Sequence, residues 1–130
     1  MVFLLNCLYV GLGGFIGSVL RYLASFIPLG SESGFPYTTL LVNVSGALLI
    51  GFLVAYLARF FTPDHELLLL LRVGLCGGFT TFSAFSLESL ELLKNGEILS
   101  ASVYIVLSVF LCLAAVYAGD YIATKLPGDI

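Results

Sequence analysis

The 130-residue sequence carries little charge: 10% of its residues are Asp, Glu, Lys or Arg, against 60% that are hydrophobic. At a mean hydropathy of +1.12, such a chain has too little polar surface to clothe a soluble globule. It has no basic patch, which excludes a nucleic-acid partner, and its net charge of -3 rests on isolated acids that select no other. The single histidine, His65, precedes Glu66 but has no second histidine four residues on, so no zinc helix is present. One loop histidine also cannot furnish the nucleophile and base, or the metal cluster, of an intramembrane enzyme. The three cysteines, Cys7, Cys76 and Cys112, fall in apolar runs without disulfide or metal spacing and read as small hydrophobes. The N-terminus lacks the basic residues that open a secretory signal, and its apolar run is too long for one, so it reads as a retained span.

What remains is four apolar runs separated by short polar turns. A bilayer core of about 30 Å takes roughly 20 apolar residues per helix, and runs at about residues 2–27, 38–61, 67–93 and 98–124 fit. The turns hold Pro28, Gly30, Glu32, Ser33, Gly34 and Pro36, then Pro63 and Asp64, then Asn95 and Gly96. The expectation is an all-α integral membrane protein, one four-helix domain over residues 1–130. Four spans put both termini and the 62–66 turn on one side, with Arg59, Arg72 and Lys125; Arg21 and Lys94 fall on the other. Orientation follows Lys and Arg near span ends, and here the bias is almost nil. A chain so balanced is expected to insert both ways, and opposite copies to pair as an antiparallel dimer. Four short helices leave little interior for an aqueous path, so a transport route is expected between subunits. Small residues four apart, Gly13 with Gly17 and Ala47 with Gly51 and Ala55, read as packing surfaces. The fragment GLGGFIG lacks the strand, helix and acid of a nucleotide fingerprint.

The third run contains GGFTTFSAFSLE, residues 77–88, with two glycines, four hydroxyls and three phenylalanines in a segment otherwise fit for hydrocarbon. Irregular backbone at membrane depth survives only where it is buried in protein or lines a cavity, so this reads as a break in a pore-forming helix. The same residues read equally as a surface for close helix contact. Polar residues inside spans mark pathways or satisfy their own backbone. Thr39 and Asn43 sit four apart on one helical face, and Tyr104, Ser108 and Cys112 repeat at that spacing on another. Phe82 and Phe85, three apart, offer ring edges with partial positive charge. Neutral donors and aromatic edges without Lys or Arg suit a small, hard anion that must be partly dehydrated and then released; they also suit ordinary packing. A proton-coupled small multidrug exporter would share four spans, but its first span needs a buried acid, and none is there.

These segments resemble a known family. GGFIGSVLRY, TLLVNVSGALLIG, GLCGGFTTFSAFSLE and the Tyr104-x3-Ser108 pair occur in the order found in the Fluc, or CrcB-type, fluoride channels, across essentially the whole chain. The resemblance implies a dual-topology homodimer with two antiparallel fluoride pathways, exporting toxic fluoride across the plasma membrane of a microbial cell. It implies pathway roles for Asn43, Phe82, Phe85, Tyr104 and Ser108, with Thr39, Ser83 and Thr81 carried over on position and polarity. It assigns the backbone carbonyls of Gly77 and Thr80, from both subunits, to a central structural sodium ion (Na+). Members commonly continue the fourth-span stripe with a hydroxyl, where this chain has the weak donor Cys112. Arg21 and Glu88, both about six or seven residues inside their spans on one side, are expected to pair or to line a vestibule. A nonconducting structural partner of a two-subunit channel is the alternative.

Overall fold

The computed structural model describes residues 2–30, 34–63 and 65–127, so Glu32, Ser33 and Asp64 lie outside the described residues. Among the described residues, four helices are long and apolar enough to cross a membrane: α1 (Val2–Ala24), α2 (Tyr37–Leu57), a composite third helix (Glu66–Lys94), and α6 (Ile98–Lys125). At a rise of about 1.5 Å per residue, even α2, with 21 residues, reaches across a hydrocarbon layer. The arrangement is that of an all-helical, multi-pass membrane protein.

The third helix has four parts. A short α3 (Glu66–Leu68) leads into a π-helical stretch (Leu69–Cys76) and then α4 (Gly77–Phe79). Helical dihedrals stop at Thr80 (φ -81°, ψ 156°) and Thr81 (φ -148°, ψ 115°), and resume in α5 (Phe82–Lys94). A long π-helical run is rare, and such geometry tends to fall near functional sites.

Capping accounts for the ends. His65 Nδ1 accepts from the Leu67 N–H at 3.2 Å at the start of α3. After α5, Gly96 takes φ 80°, its N–H donates to the Leu93 carbonyl, and the Glu97 N–H donates to the Leu92 carbonyl. This paired closure on a left-handed glycine stops the helix and turns the chain into α6. At the other end of α6, Arg59 donates from Nη2 to the Ala123 carbonyl at 2.6 Å and from Nη1 to the Leu126 carbonyl at 2.9 Å. A cation there satisfies orphan carbonyls and opposes the negative end of the helix dipole.

Glycine decides which helices meet. α1 lies against the third helix so closely that a Cβ on Gly78 would stand 2.6 Å from the Gly14 carbonyl oxygen, and one on Gly74 would stand 2.7 Å from that of Val10. Gly13 and Gly17 face Leu70 and Leu75 across the same seam. α2 and α6 form the second pair, with Gly51 against Val116 and Gly119 against Leu48. Backbone contact of this kind is how apolar helices associate where no hydrophobic force separates protein from lipid. A small core of Leu40, Phe85, Leu92, Ala101 and Tyr104 ties α2, α5 and α6 together.

Gly13→Val is therefore expected to destabilise the fold by at least about 2 kcal/mol, because a Cβ there meets the Leu70 carbonyl, which cannot move aside. Gly14→Val, where a Cβ meets nothing within 4 Å, is expected to be near neutral. Thermal unfolding of both variants in detergent checks the contrast.

Candidate functional site

Around Thr80 and Thr81 the peptide groups must find partners outside a continuous helix, since each unmade buried bond is costly. In an unbroken helix the Thr81 N–H would close on the Gly77 carbonyl. Here it donates to Asn43 Oδ1 at 2.8 Å, while Asn43 Nδ2 donates to the Thr81 carbonyl at 3.1 Å. Because a backbone N–H can only donate, the Asn43 amide orientation is fixed by this pair. Asn43 has a second N–H, and its side chain borders a cavity.

The next turn repeats the substitution. The Ala84 N–H, which would close on the Thr80 carbonyl, donates to Thr81 Oγ1 at 3.1 Å and makes Thr81 the N-cap of α5. The Thr80 hydroxyl donates back to the Cys76 carbonyl at 2.9 Å, and the Thr80 N–H donates to the same oxygen at 3.0 Å. The Gly78 carbonyl accepts from Arg21 Nε at 3.1 Å. The carbonyls of Gly77 and Thr80 thus lose their ordinary helical donors. Two oxygens relieved of helical bonds, with no carboxylate bordering their cavity among the described residues, form a donor set that suits a hard cation.

Two cavities flank the interruption. The larger, about 350 Å³, is bordered by Asn43, Gly77, Thr80, Thr81, Phe82, Phe85, Ser108 and Cys112, with apolar residues completing the wall. No charged residue borders it among the described residues. The Ser108 hydroxyl is buried there without a hydrogen-bond partner. Phe82 and Phe85 lie with ring centroids 5.3 Å apart; Phe85 is buried, whereas Phe82 is 78% exposed. The smaller cavity, about 230 Å³, is bordered by Arg21, Thr39, Thr81 and Glu88 among others. Thr81 borders both.

The predicted residues therefore divide. Asn43, Phe82, Phe85, Ser108, Gly77 and Thr80 come to the larger cavity, and Arg21, Thr39 and Glu88 to the smaller. Tyr104 is fully buried between them; its ring lies 5.3 Å from that of Phe85, and its hydroxyl donates to Glu88 Oε2 at 2.6 Å. The Thr39 hydroxyl donates to Glu88 Oε1 at 2.6 Å. Arg21 and Glu88 share a cavity without an ion pair; among the described residues the ion pair is His65 with Glu66, at 3.8 Å. Ser83 stands apart, its hydroxyl exposed and 3.2 Å from that of Thr81.

The sequence named Thr81 for the pathway and Glu88 for pairing or a vestibule, but not two of their bonding roles. Thr81 supplies a peptide, a cap and part of both walls, and Glu88 accepts the hydroxyls of two helices. An acid inside a span, at the depth of a Thr and a Tyr on neighbouring spans, was the available signal for Glu88. For Thr81 the signal was the Thr-Phe-Ser-Ala run, since a hydroxyl three residues before an N–H is a capping pattern.

The family described as CrcB-like protein, Camphor Resistance (CrcB), matches residues 8–120. A protein of Flavobacterium psychrophilum named fluoride-specific ion channel FluC is 48% identical over 119 residues, covering 91% of this chain and 96% of its own. Proteins of the same name from Elusimicrobium minutum and Rhizobium meliloti are each 47% identical, over 122 and 115 residues. They cover 92% and 88% of this chain, and 94% and 92% of their own lengths.

Asn43→Leu is expected to strand both polar groups of the Thr81 peptide, at a cost of about 2 kcal/mol or more. Amide hydrogen exchange in detergent is expected to accelerate at Thr81 ahead of the rest of the third helix; unchanged exchange there would mean that the clamp does not hold the peptide.

Proposed function

The chain belongs to the CrcB-like family, and from that premise we propose that it is a passive fluoride channel of a microbial plasma membrane, built as an antiparallel homodimer with two pores. It is not an enzyme. The observation that carries the reading is the larger cavity, where an unpartnered serine hydroxyl, an asparagine amide and two phenylalanine rings meet without any charged side chain among the described residues. A small hydrated anion gives up water only to donors that replace it, and leaves only if none of them is a full charge. Ser108 and the second N–H of Asn43 are such donors, and aromatic edges present weaker positive charge. Tyr104 and Thr39 have their hydroxyl protons committed to Glu88, so in this reading they act on the ion after Glu88 releases them, or hold the wall.

A second copy suits the open side of the interruption. Phe82 is largely exposed, and a Cβ on Gly77 would meet only its own chain's Arg72 carbonyl, at 4.0 Å. A twin placed across this face would cover both and bring a second pair of Gly77 and Thr80 carbonyls. Together they would hold a structural sodium ion, whose preference is for oxygen ligands. Gly77 and Thr80, as positions freed of helical donors, support that assignment.

Purified protein in liposomes is expected to release fluoride quickly into a fluoride-electrode bath and chloride far more slowly, with Asn43→Asp and Phe82→Ile each slowing fluoride at least tenfold. Inactivity of dimeric protein in both sodium and sodium-free buffers would instead favour the nonconducting structural partner. Two-sided insertion is read separately: a reporter fused to one terminus should be labelled from both sides of the membrane, and two lysines added on one side should make it one-sided. Persistent two-sided labelling after that change would count against a balance set by charge.

A further inference from the structure

We infer that Arg21 is the positioning residue of the sodium site, acting through the Gly78 carbonyl. The inference rests on the sodium reading given above and goes beyond it by naming what holds the ligands in place.

Gly77 and Gly78 are consecutive glycines, the pair with the widest backbone freedom available, yet the proposed ligand geometry depends on the peptide planes around them. Neighbouring planes share a Cα, so once one is fixed only the φ and ψ of the shared residue remain to orient the next. Arg21 fixes the Gly78 plane: its Nε donates to that carbonyl at 3.1 Å across 57 residues of sequence. The two glycines also face opposite ways. Gly78 is pressed on α1, where its Cβ would stand 2.6 Å from the Gly14 oxygen; one on Gly77 would meet the Arg72 carbonyl of its own helix at 4.0 Å. Arg21 borders the smaller cavity, and Gly77 and Thr80 the larger. The guanidinium, carried on α1, therefore takes the Gly78 carbonyl and borders a different cavity from Gly77 and Thr80. A positive group placed there organises the ligands without competing for them.

Arg21 has no carboxylate partner among the described residues, although Glu88 borders the same cavity. An ordinary span arginine would be expected to take that acid. Glu88 is engaged by Thr39 and Tyr104 instead, which leaves the guanidinium for the backbone.

The test uses the full-length protein in detergent and in liposomes, with Arg21→Met removing the donor and Arg21→Lys keeping a cation with a different reach. The first readout is thermal stability titrated with sodium against N-methylglucamine. Wild-type protein is expected to gain stability with sodium, and Arg21→Met to need on the order of tenfold more sodium for half the gain, the size of losing a hydrogen bond to a charged group. Arg21→Lys is expected to fall between. The second readout, the sodium concentration for half-maximal fluoride efflux, should move in parallel. An equal loss of stability in both cations with an unchanged sodium midpoint would reduce Arg21 to a packing role and overturn the inference. Wild-type stability indifferent to sodium would overturn the sodium reading itself, and this inference with it. No fluoride efflux from wild-type protein, with the stability titration shifted as stated, would count against the channel reading and leave the positioning role supported. Should Arg21→Met fail to fold, Arg21→Lys carries the same two readouts.

Discussion

Asn43 and the peptide of Thr81 exchange two hydrogen bonds, and the rest of the centre is arranged around them. A membrane helix cannot simply stop: its backbone polar groups need partners where water is absent. One asparagine on α2 supplies both an acceptor and a donor to one residue of the third helix. That exchange lets Thr80 and Thr81 adopt extended dihedrals, permits Thr81 to cap α5 and diverts an N–H from Gly77. It also docks α2 against the interruption, so that Ser108 and the two phenylalanines of the larger cavity are held at one level.

Much of the architecture was legible in the sequence. Four apolar runs between Pro, Gly and Asn turns leave no other fold class for a chain this poor in charge. Gly13 and Gly17 read as a contact surface and do press on the third helix, and Gly51 likewise presses on α6. Their counterparts, Gly74, Gly78 and Gly119, were harder to read, because a glycine belongs to a seam only in relation to a partner helix that sequence does not name. The π-helical stretch was not legible. LLLRVGLC has no residue that demands a five-residue bond pattern over a four-residue one, and the stretch packs along α1.

The candidate site was legible in membership more than in wiring. Asn43, Phe82, Phe85 and Ser108 were singled out because polar or aromatic groups at helical spacing stand out in an apolar span, and they do converge. Their bonds could not be read so directly. Asn43 was singled out as a donor, yet its oxygen and one N–H are taken by the Thr81 backbone. Tyr104 and Thr39 looked like donors to a passing ion, yet both donate to Glu88. Arg21 and Glu88 were expected to pair or to share a vestibule; they border one cavity while each serves another partner. In each case a group at the right depth had more than one satisfactory neighbour, and three-dimensional packing chose among them.

The two tight helix pairs also determine when the protein can fold. α1 seats against the third helix, and α2 against α6, so neither glycine seam joins helices that are neighbours along the chain. A nascent chain with only α1 and α2 inserted has little to dock, since their mutual contact is slight. Assembly must wait for the third span to meet the first, and for the last helix to emerge before α2 finds its seat. Until the third span arrives, the polar edge of Asn43 and the guanidinium of Arg21 lack the partners they hold in the folded protein. The least protected moment in this protein's life is therefore during its own synthesis, and a ribosome paused after the second span would expose it most.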